Sequence, residues 1–292
     1  MNVVVTITYN ARTHDILDAF FACMKAQNDP DFMLLVIDNA STDGTREYLQ
    51  TVDLPNLQLI LNDENVGFGR ACNQGIAFAR EVGAHHVTFI NNDVEFGPGL
   101  LGGMVRSIEE HDAAVLSPLI TPFDQPDHVW FITGSFRWRR GLVPYHDWIW
   151  QPLSRAPSDR IQKTDFVTGC CPIFRMAVFD VIPGFDDRFF VYWEDADLSM
   201  EMRKRGMKAV TDTSLVCRHK VSISTGGSFS AFSVYHATRG HLLFARKHYG
   251  TAVLGYVLPV IVAKMVLNVL RRRMRPQEIG AWFRGLLSGL RD

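Results

Sequence analysis

The sequence predicts an α/β fold in which a mostly parallel sheet is flanked by helices. Short β-branched runs, such as residues 3–8, alternate along the N-terminal half with segments of helical periodicity. Polar residues follow the predicted strands at the points where the strands end. Because a βαβαβ order returns each strand in the same direction, we expect the strands to pair in parallel, with helices on both faces of the sheet.

Each predicted element has its own local signal. Short apolar runs predict strands, because parallel strands that are buried on both faces are almost continuously apolar. Apolar side chains at intervals of three and four predict helices, and Gly83 stands where glycine commonly ends one. The predicted strands are residues 3–8, 33–37, 57–61 and 87–90, and the predicted helices are residues 16–24, 44–50 and 69–82.

Composition limits the class of protein. Of the 292 residues, 47% are hydrophobic, which is ample for a core, and the net charge of -1 gives no indication of a nucleic-acid partner. The chain opens directly into a strand pattern without a basic leader segment, which favours the cytoplasm. Five cysteines at no metal-ligand spacing predict reduced thiols, and they are Cys23, Cys72, Cys170, Cys171 and Cys217.

An acidic cluster stands at the start of a predicted helix. Aromatic residues at 189–193 lead directly into Glu194, Asp195 and Asp197, and the helix that follows stops at Gly206. Acids in a first helical turn can simply favour the helix dipole. Behind a bulky apolar wall, they can also hold a carboxylate aimed at a substrate.

Three polar clusters follow three of the predicted strands. They lie at residues 8–10, 38–44 and 91–93. Each cluster alone is typical of a turn, because Asn, Asp, Ser and Gly are turn formers. Ligands of open α/β sheets bind outside the carboxyl ends of the strands, so the three clusters together predict one crevice.

Several blocks, taken in order, resemble those of family 2 glycosyltransferases. The donor-binding blocks of that family are similar to residues 3–10 (VVVTITYN), 36–45 (VIDNASTDGT) and 65–75 (NVGFGRACNQG), and residues 89–93 (FINND) fall where the family carries its D-x-D motif. The acceptor-side block with an E-D pair is similar to residues 184–198 (GFDDRFFVYWEDADL). A later block of the rhamnosyltransferase-like branch resembles residues 219–227 (HKVSISTGG).

The resemblance implies a single-domain GT-A fold with a C-terminal helical extension. Residues 1–248 would form the catalytic domain, with a donor half at about 1–120 and an acceptor half at about 121–248. Residues 249–292 would form a separate helical segment. The implied reaction is transfer of a sugar from a nucleotide-diphosphate sugar with inversion.

The same resemblance assigns a donor site. Asp38, at the end of the second strand, would point its carboxylate into the crevice and bond the nucleobase, since an acceptor-only group suits the imide N–H of uracil or thymine. Glycine at 67 would let the backbone pass close to the donor. Arg70 could reach the diphosphate or be a surface arginine. The remaining implied donor-binding residues are Thr8, Asn10, Asn65, Asn91 and Asn92.

A divalent cation is implied at the diphosphate, because Mg2+ or Mn2+ neutralises the charge that develops on such a leaving group. Asp93 is the candidate ligand. The chain departs from D-x-D at Asn91, which removes one carboxylate from the motif. His219 is either a further metal or diphosphate contact or a structural histidine. Residues 222–227 would form a loop over the phosphates or a plain surface loop.

Inverting transfer needs a base on the acceptor hydroxyl, and Asp195 is the candidate. Glu194 would orient the acceptor or Asp195, and Asp197 would support the helix. Tyr192 and Trp193 would form either a platform for a sugar ring or part of the core. The irregular stretch 121–160 holds tryptophans that cannot be assigned individually, namely Trp130, Trp138, Trp148 and Trp150.

The C-terminal segment is apolar and then basic. Pro259 and Lys264 interrupt the apolar stretch 250–270, whose uninterrupted part is shorter than the roughly 20 residues of a membrane-spanning helix. Residues 264–292 carry seven basic and two acidic side chains. An amphipathic helix follows, and its predicted apolar face is Ile279, Trp282, Phe283, Leu286, Leu287 and Leu290. Such a helix predicts a peripheral membrane contact, or alternatively a core or homodimer helix.

These features predict a cytoplasmic glycosyltransferase, associated with the inner face of the membrane in one interpretation. The donor would be dTDP-rhamnose or a UDP-hexose, and the acceptor a glycan or lipid-linked saccharide of cell-surface polysaccharide synthesis. The main alternative is a non-catalytic nucleotide-sugar or glycan-binding relative, which Asn91 favours and the intact Glu194–Asp195 pair opposes. A nucleotidyltransferase is a third interpretation, but residues 9–13 are a poor triphosphate loop.

Overall fold

A single mixed sheet forms the centre of the molecule. The computed structural model describes residues 1–14, 16–29, 31–220 and 230–291, and within them nine strands join this sheet in the order β3-β2-β1-β4-β10-β6-β11-β5, with β9 paired to β11. A separate hairpin joins β7 to β8. The strands are β1 Asn2–Thr8, β2 Phe32–Asp38, β3 Leu57–Leu61, β4 His86–Phe89, β5 Val94–Phe96, β6 Val115–Pro122, β7 Gly134–Arg137, β8 Val143–His146, β9 Ile161–Lys163, β10 Ile173–Arg175 and β11 Ala209–His219.

Helices cover both faces of the sheet and extend beyond it at the C-terminus. The helices are α1 Leu17–Lys25, α2 Thr45–Thr51, α3 Phe68–Glu81, α4 Leu100–Glu110, α5 Val178–Val181, α6 Glu194–Lys204, α7 Ala231–Tyr249, α8 Leu254–Leu270 and α9 Pro276–Arg291. The strand predicted at residues 57–61 has the observed bounds of β3. The other predicted strands and helices of the N-terminal half lie within one or two residues of the observed ones.

The first half of the sheet is parallel throughout. Strand β1 pairs in parallel with β2 and β4, and β2 pairs in parallel with β3. In this register Thr8 lies opposite Asp38, so the carboxyl ends of β1 and β2 are level with each other. The strand ends therefore share one edge of the sheet, as their polar sequences predict.

The second half of the sheet brings distant residues to the same edge. Strand β10 runs antiparallel to both β4 and β6, and β11 runs parallel to β6. The short strand β5 pairs antiparallel with β11, which sets His219 opposite Val94. This pairing places His219 beside Asp93, although 126 positions separate them, so the contact depends on the sheet.

Alternate residues of the central strands enter two separate cores. Val4, Leu34 and Val36 face one core, whereas Val3 and Val5 face the other. All five side chains are buried, as expected for strands covered by helices on both faces. The sheet is therefore a rigid support for the loops at its carboxyl edge.

The C-terminal helices form a third core with α7. Within α9 the buried residues include Ala281, Trp282, Gly285 and Gly289, which pack against α7. A Cβ at Gly285 would lie 2.5 Å from the carbonyl oxygen of Tyr235, so the two helices approach closely. The small residues of α9 thus form the part of its packing face that contacts α7 most closely, beside Trp282 and the partly buried Ile279 and Leu286.

This packing divides the predicted apolar face of α9. Of the six residues predicted to share it, Trp282 is buried and Ile279 and Leu286 pack partly buried against the same core, while Phe283, Leu287 and Leu290 are exposed. Close approach of two helix backbones needs side chains without bulk, and the hydrophobic periodicity does not report that requirement. The exposed side chains leave a strip of apolar surface.

Helix α8 also differs from its prediction. It runs through Pro259 and Lys264 without a break, and with the preceding turn it makes a 20-residue segment, Thr251–Leu270, of mean hydropathy 2.1. By length and composition this segment could cross a membrane, although Pro259 and Lys264 interrupt its apolar run. Only 17% of its apolar window is buried within the described structure.

Candidate active site

The polar strand ends converge on a cavity of about 540 Å³ at the carboxyl edge of the sheet. Its lining includes residues from the loops after β1, β2 and β4, from the start of α6 and from the end of β11. The predicted site residues that line it are Asn65, Gly67, Asn91, Asn92, Asp93, Glu194, Asp195 and His219. Those that do not are Thr8, Asn10, Asp38 and Arg70.

Asp38 does not direct its carboxylate into the cavity. The side chain is fully buried and accepts hydrogen bonds from Thr8 Oγ1 at 2.8 Å, from the Ser41 backbone N–H at 2.9 Å and from Arg46 Nε at 2.8 Å. The predicted orientation is therefore wrong, because protein donors already satisfy the carboxylate. Asp38 and Thr8 together hold the loop after β2, whose Asn39 lines the cavity.

Asn10 and Arg70 also make contacts within the protein. The backbone N–H of Asn10 donates to Ser41 Oγ at 2.8 Å, and its side-chain oxygen accepts from the Thr42 backbone N–H at 2.8 Å. Arg70 is more than half exposed and lies 3.4 Å from Asp187. In this conformation Asn10 ties two strand-end loops together, and Arg70 points away from the cavity.

The loop before α3 approaches the segment before α6 very closely. The Phe68 backbone N–H donates to the carbonyl oxygen of Phe190 at 2.7 Å. Gly67 has a φ of +85°, and a Cβ there would lie 2.5 Å from that same oxygen. Asn65 closes the turn by accepting from the Gly67 backbone N–H at 3.0 Å. Glycine is thus required at 67 for two reasons, the positive φ and the close approach.

Asp93 and His219 form a buried pair in the lining of the cavity. Asp93 Oδ1 lies 3.3 Å from His219 Nε2, and neither side chain is more than 9% exposed. Within the described residues, neither Asp93 Oδ1 nor His219 Nδ1 has a hydrogen-bond partner. Buried polar atoms are normally satisfied, so this pair has the capacity to bind a further group.

A divalent cation fits the chemistry of this pair. A carboxylate oxygen and an imidazole nitrogen are both ligands for Mn2+, and the oxygen suits Mg2+. The described residues contain no cluster of three or more Asp, Glu, His or Cys side chains that could hold a metal. The protein would therefore supply few ligands, as expected where a substrate's phosphates supply others.

The two carboxylates of the E-D pair lie side by side at the first turn of α6. Asp195 accepts hydrogen bonds from the backbone N–H groups of Gly169 at 3.0 Å and Ala196 at 2.7 Å. Burial raises the pKa of Asp195. Burial and then the adjacent Asp195 charge raise the pKa of Glu194 well above its ordinary value. Glu194 Oε2 has no hydrogen-bond partner among the described residues, so it too can bind a ligand.

The backbone directly before this pair is strained. Tyr192 and Trp193 have φ values of 63° and 75°, in the left-handed region that non-glycine residues rarely adopt. Trp193 is nevertheless fixed, since its Nε1 donates to the Ala237 carbonyl oxygen at 3.0 Å and its ring stacks on His241. Tyr192 lines the cavity. Such strain is typical of functional sites, and here it aims the first turn of α6 at the cavity.

Asp197 anchors α6 from behind. It accepts a hydrogen bond from Lys247 Nζ at 2.7 Å, and its other oxygen lies 2.7 Å from His248 Nε2. Lys247 also donates to Asp186, before α6. Asp197 therefore positions the E-D pair against α7, in agreement with the predicted supporting role.

Several cavity residues carry no sequence signal. His146 lines the cavity from β8, and burial lowers its pKa to about 4, so it is neutral at physiological pH. Of the four unassigned tryptophans, Trp130 lines the cavity, with its ring edge-on to His219 at 4.6 Å. Thr168 and Gly169 also line it. Only the fold reveals these residues, since they come from an irregular stretch without a motif. The predicted loop at 222–227 lies outside the described residues.

The sheet is an α/β sheet with a parallel half, and its carboxyl edge carries one cavity. Two buried acids at the start of α6 and an acid–histidine pair line this cavity. This combination is the one expected of a GT-A transferase. The Glycosyl transferase family 2 profile matches residues 3–182, which is more than half of the chain. The chain therefore belongs to glycosyl transferase family 2, and the enzyme class predicted from sequence is confirmed.

Named relatives agree with the predicted branch. An N-acetylglucosaminyl-diphospho-decaprenol L-rhamnosyltransferase of Mycobacterium tuberculosis is 28% identical over 270 residues, covering 85% of each chain. An O-antigen chain rhamnosyltransferase WbaN of Salmonella anatum is 23% identical, covering 79% of this chain and 70% of the relative. Both relatives are named as rhamnosyltransferases.

Solved structures confirm the GT-A fold. The structure of S. aureus TarS 1-349 in complex with UDP has a TM-score of 0.58 at 16% identity and covers 99% of this chain and 80% of that one. A mannosyltransferase from Pyrobaculum calidifontis, in complex with GDP-Man and Mn2+, also has a TM-score of 0.58 at 16% identity, covering 99% and 85%. Structural neighbours of this enzyme thus bind nucleotide-sugars and a divalent metal.

Proposed function

We propose that this glycosyltransferase moves a sugar, with inversion, from a nucleotide-diphosphate sugar to a hydroxyl of a saccharide acceptor. The supporting observation is that Asp195 and the Asp93–His219 pair line the same cavity. A single substrate volume is therefore lined by both a candidate base and a candidate diphosphate contact.

Asp195 is the proposed base. Its carboxylate is oriented by two backbone N–H groups, and these stabilise its charged form against the effect of burial. Glu194 lacks such support at Oε2, so we infer that Asp195 ionises first and that Glu194 retains a proton near neutral pH. Asp195 would then accept the proton of the acceptor hydroxyl, and Glu194 would hold the acceptor.

Asp93 and His219 are the proposed holders of Mg2+ or Mn2+. A bound divalent cation supplies a Lewis acid that neutralises charge on the departing diphosphate. Asn91 and Asn92 directly precede Asp93 and line the same cavity, and Asn92 Nδ2 already donates a hydrogen bond to the Ile7 carbonyl oxygen at 3.0 Å. Asn91 is thus the more available amide for the donor, and it compensates in part for the missing carboxylate.

The proposed donor is dTDP-rhamnose, with a UDP-hexose as the second candidate. The proposed acceptor is a lipid-linked saccharide. Both proposals draw on the relatives, two of which are named as rhamnosyltransferases and one of which is named for a diphospho-decaprenol acceptor.

The proposed cellular location is the cytoplasmic face of a membrane. Exposed apolar side chains on α8 and α9 lie beside a run of exposed arginines at 271–273, a combination that suits an anionic lipid surface. Flotation with anionic and neutral vesicles tests this proposal. Sedimentation of the same sample tests the competing homodimer, and a stable dimer that does not float would refute the membrane contact.

Turnover of nucleotide-sugars tests the reaction. UDP-, dTDP- and GDP-sugars are incubated with Mg2+ or Mn2+ and either the wild type or Asp195→Asn. We expect one donor to be consumed by the wild type, and the variant to bind it but to react about 10²-fold or more slowly, the scale for losing a general base. Retention of full activity in the variant would exclude Asp195 as the base.

Chelation tests the metal. If Asp93 holds a divalent cation, EDTA should abolish turnover, and Asp93→Asn should raise the Mn2+ concentration needed to restore it. Unchanged turnover in EDTA would refute the proposed role of the pair as holders of a required divalent cation.

A further inference from the structure

A second cavity, the α7–α9 groove, lies between α7, α8 and α9 and has a volume of about 250 Å³. Its walls are mainly large apolar side chains, including Ile261 and Met265 of α8, Trp282 of α9 and Met274 between those helices. None of the proposed catalytic residues lines this groove. An apolar groove of this kind suits a hydrocarbon chain better than a saccharide.

The groove adjoins the active site. Ala237 of α7 lines both cavities, and Trp193 lines the groove while its neighbour Glu194 lines the active site. The hydrogen bond from Trp193 Nε1 to the Ala237 carbonyl oxygen joins these two positions at 3.0 Å. A molecule that spans both cavities would pass beside Ala237.

One cation faces the groove. Lys264 lines it and donates a hydrogen bond to the Arg140 carbonyl oxygen at 2.7 Å. Within the described residues, neither Lys264 nor Arg140 has a carboxylate partner, and no acidic side chain lines the groove. Uncompensated positive charge beside apolar walls matches a ligand with an anionic group and a hydrocarbon tail.

The outer face of α8 offers a route for such a tail. Val262, Val266, Leu267 and Leu270 are exposed on the helix whose inner face forms the groove wall, and Leu270 is 72% exposed. The apolar character thus continues from the groove to the surface proposed to meet the membrane.

We propose that the α7–α9 groove binds the first part of the hydrocarbon chain of a lipid-diphosphate acceptor, with Lys264 facing the diphosphate. The saccharide would then lie in the active-site cavity, and the remaining chain would continue into the bilayer along α8. This proposal rests on the proposed lipid-linked acceptor and assigns it a binding site.

Binding of farnesyl diphosphate, a short soluble probe, tests the groove without requiring turnover. Calorimetric titrations are made in the presence of saturating UDP, dTDP and GDP with Mg2+, so that the donor site is blocked. Met265→Trp fills the groove, and Val181→Trp is the control, an exposed apolar position on α5 that lies outside the groove and outside the proposed route of the tail. We expect Met265→Trp to weaken binding at least about tenfold, the effect of losing the burial of about two methylene groups, and Val181→Trp to bind like the wild type.

Lys264→Met tests the anionic end while preserving the length of the side chain. It should weaken binding of farnesyl diphosphate but leave binding of farnesol unchanged. This variant also carries the test if Met265→Trp loses its circular dichroism signal. Inorganic diphosphate alone should show no binding under nucleotide saturation.

The groove proposal is overturned if the wild type does not bind farnesyl diphosphate, or if both Met265→Trp and Lys264→Met bind it normally. Failure of the proposed reaction is recognised separately. A wild type that binds the probe but consumes no nucleotide-sugar contradicts the reaction and not the groove. A wild type that glycosylates a soluble acceptor yet ignores the probe contradicts the groove alone.

Discussion

Replacement of Gly67 by alanine should both destabilise the fold and impair the active site. Gly67 has a φ of +85° and lies against the segment that leads into α6. Gly44 has the same φ of +85°, but a Cβ there would meet nothing within 4 Å. The ψ values differ, 4° at Gly44 and 169° at Gly67, so Gly67 lies in a region open almost only to glycine, and both its backbone strain and its steric conflict exceed those at Gly44.

The expected magnitudes follow from these contacts. Alanine in the left-handed region costs about 1 to 2 kcal/mol, so Gly44→Ala should lower the free energy of unfolding by about 1 kcal/mol. At Gly67 the new Cβ would lie 2.5 Å from the Phe190 carbonyl oxygen, which also accepts the Phe68 N–H. Displacing that carbonyl loses about 1 kcal/mol of hydrogen bonding and adds packing strain of similar size, for a total of about 3 kcal/mol.

Urea unfolding followed by circular dichroism measures the difference, provided that the m-values agree. We also expect Gly67→Ala to reduce kcat/KM, because Phe190 lines the cavity and precedes Glu194, whereas Gly44→Ala should retain activity. Equal destabilisation by the two substitutions would refute the close approach. Normal activity in a destabilised Gly67→Ala would show that the Phe190 segment does not position the acids.

Three further predictions concern the buried acids. The pKa of Glu194 is raised in the folded state, so the folded wild type binds a proton more tightly than the unfolded chain and loses stability as pH rises above about 4.5. Glu194→Gln should therefore stabilise the protein increasingly with pH in thermal melts. A stability difference that does not depend on pH would contradict this prediction. The pKa of Asp195 is also raised, so the acid limb of the pH profile of kcat/KM should lie above an ordinary carboxyl pKa. An acid limb with an apparent pKa near 4 would exclude Asp195 as the group that must ionise. Asp197→Asn should lower the free energy of unfolding by about 2 kcal/mol, because Lys247 and His248 lose a charged partner. It should also lower kcat more than it changes the KM for the donor. A loss of stability with unchanged kcat would restrict Asp197 to a structural role.

The active-site acids show how far local sequence reaches. Helical periodicity, together with the acidic residues at its start, predicts α6. It places Glu194 and Asp195 in the first turn of this helix, where both are found. Their accessibility to a shared cavity could not be derived from that pattern. It depends on Gly169, which holds Asp195, and on the strained Tyr192–Trp193 backbone.

Asp38 illustrates the opposite case. Its position at the end of β2 was predictable, because strand ends follow from local periodicity. Its orientation was not, since Thr8, Ser41 and Arg46 come from three different segments and consume its acceptor capacity. His146 could not be found in any local pattern, because the tertiary fold alone brings β8 to the cavity.

The sequence by itself determined the parallel half of the sheet, the polar strand ends and the family blocks, since these depend on local periodicity and turn chemistry. The tertiary structure decided which polar groups satisfy one another and which remain available to a ligand. It also decided that small residues of α9, with Gly285 against Tyr235, bring this helix into close contact with α7, and that only half of its predicted apolar face packs inward. The physical reason is that close packing and hydrogen-bond saturation are properties of pairs of distant segments, and neither is encoded in the periodicity of one segment.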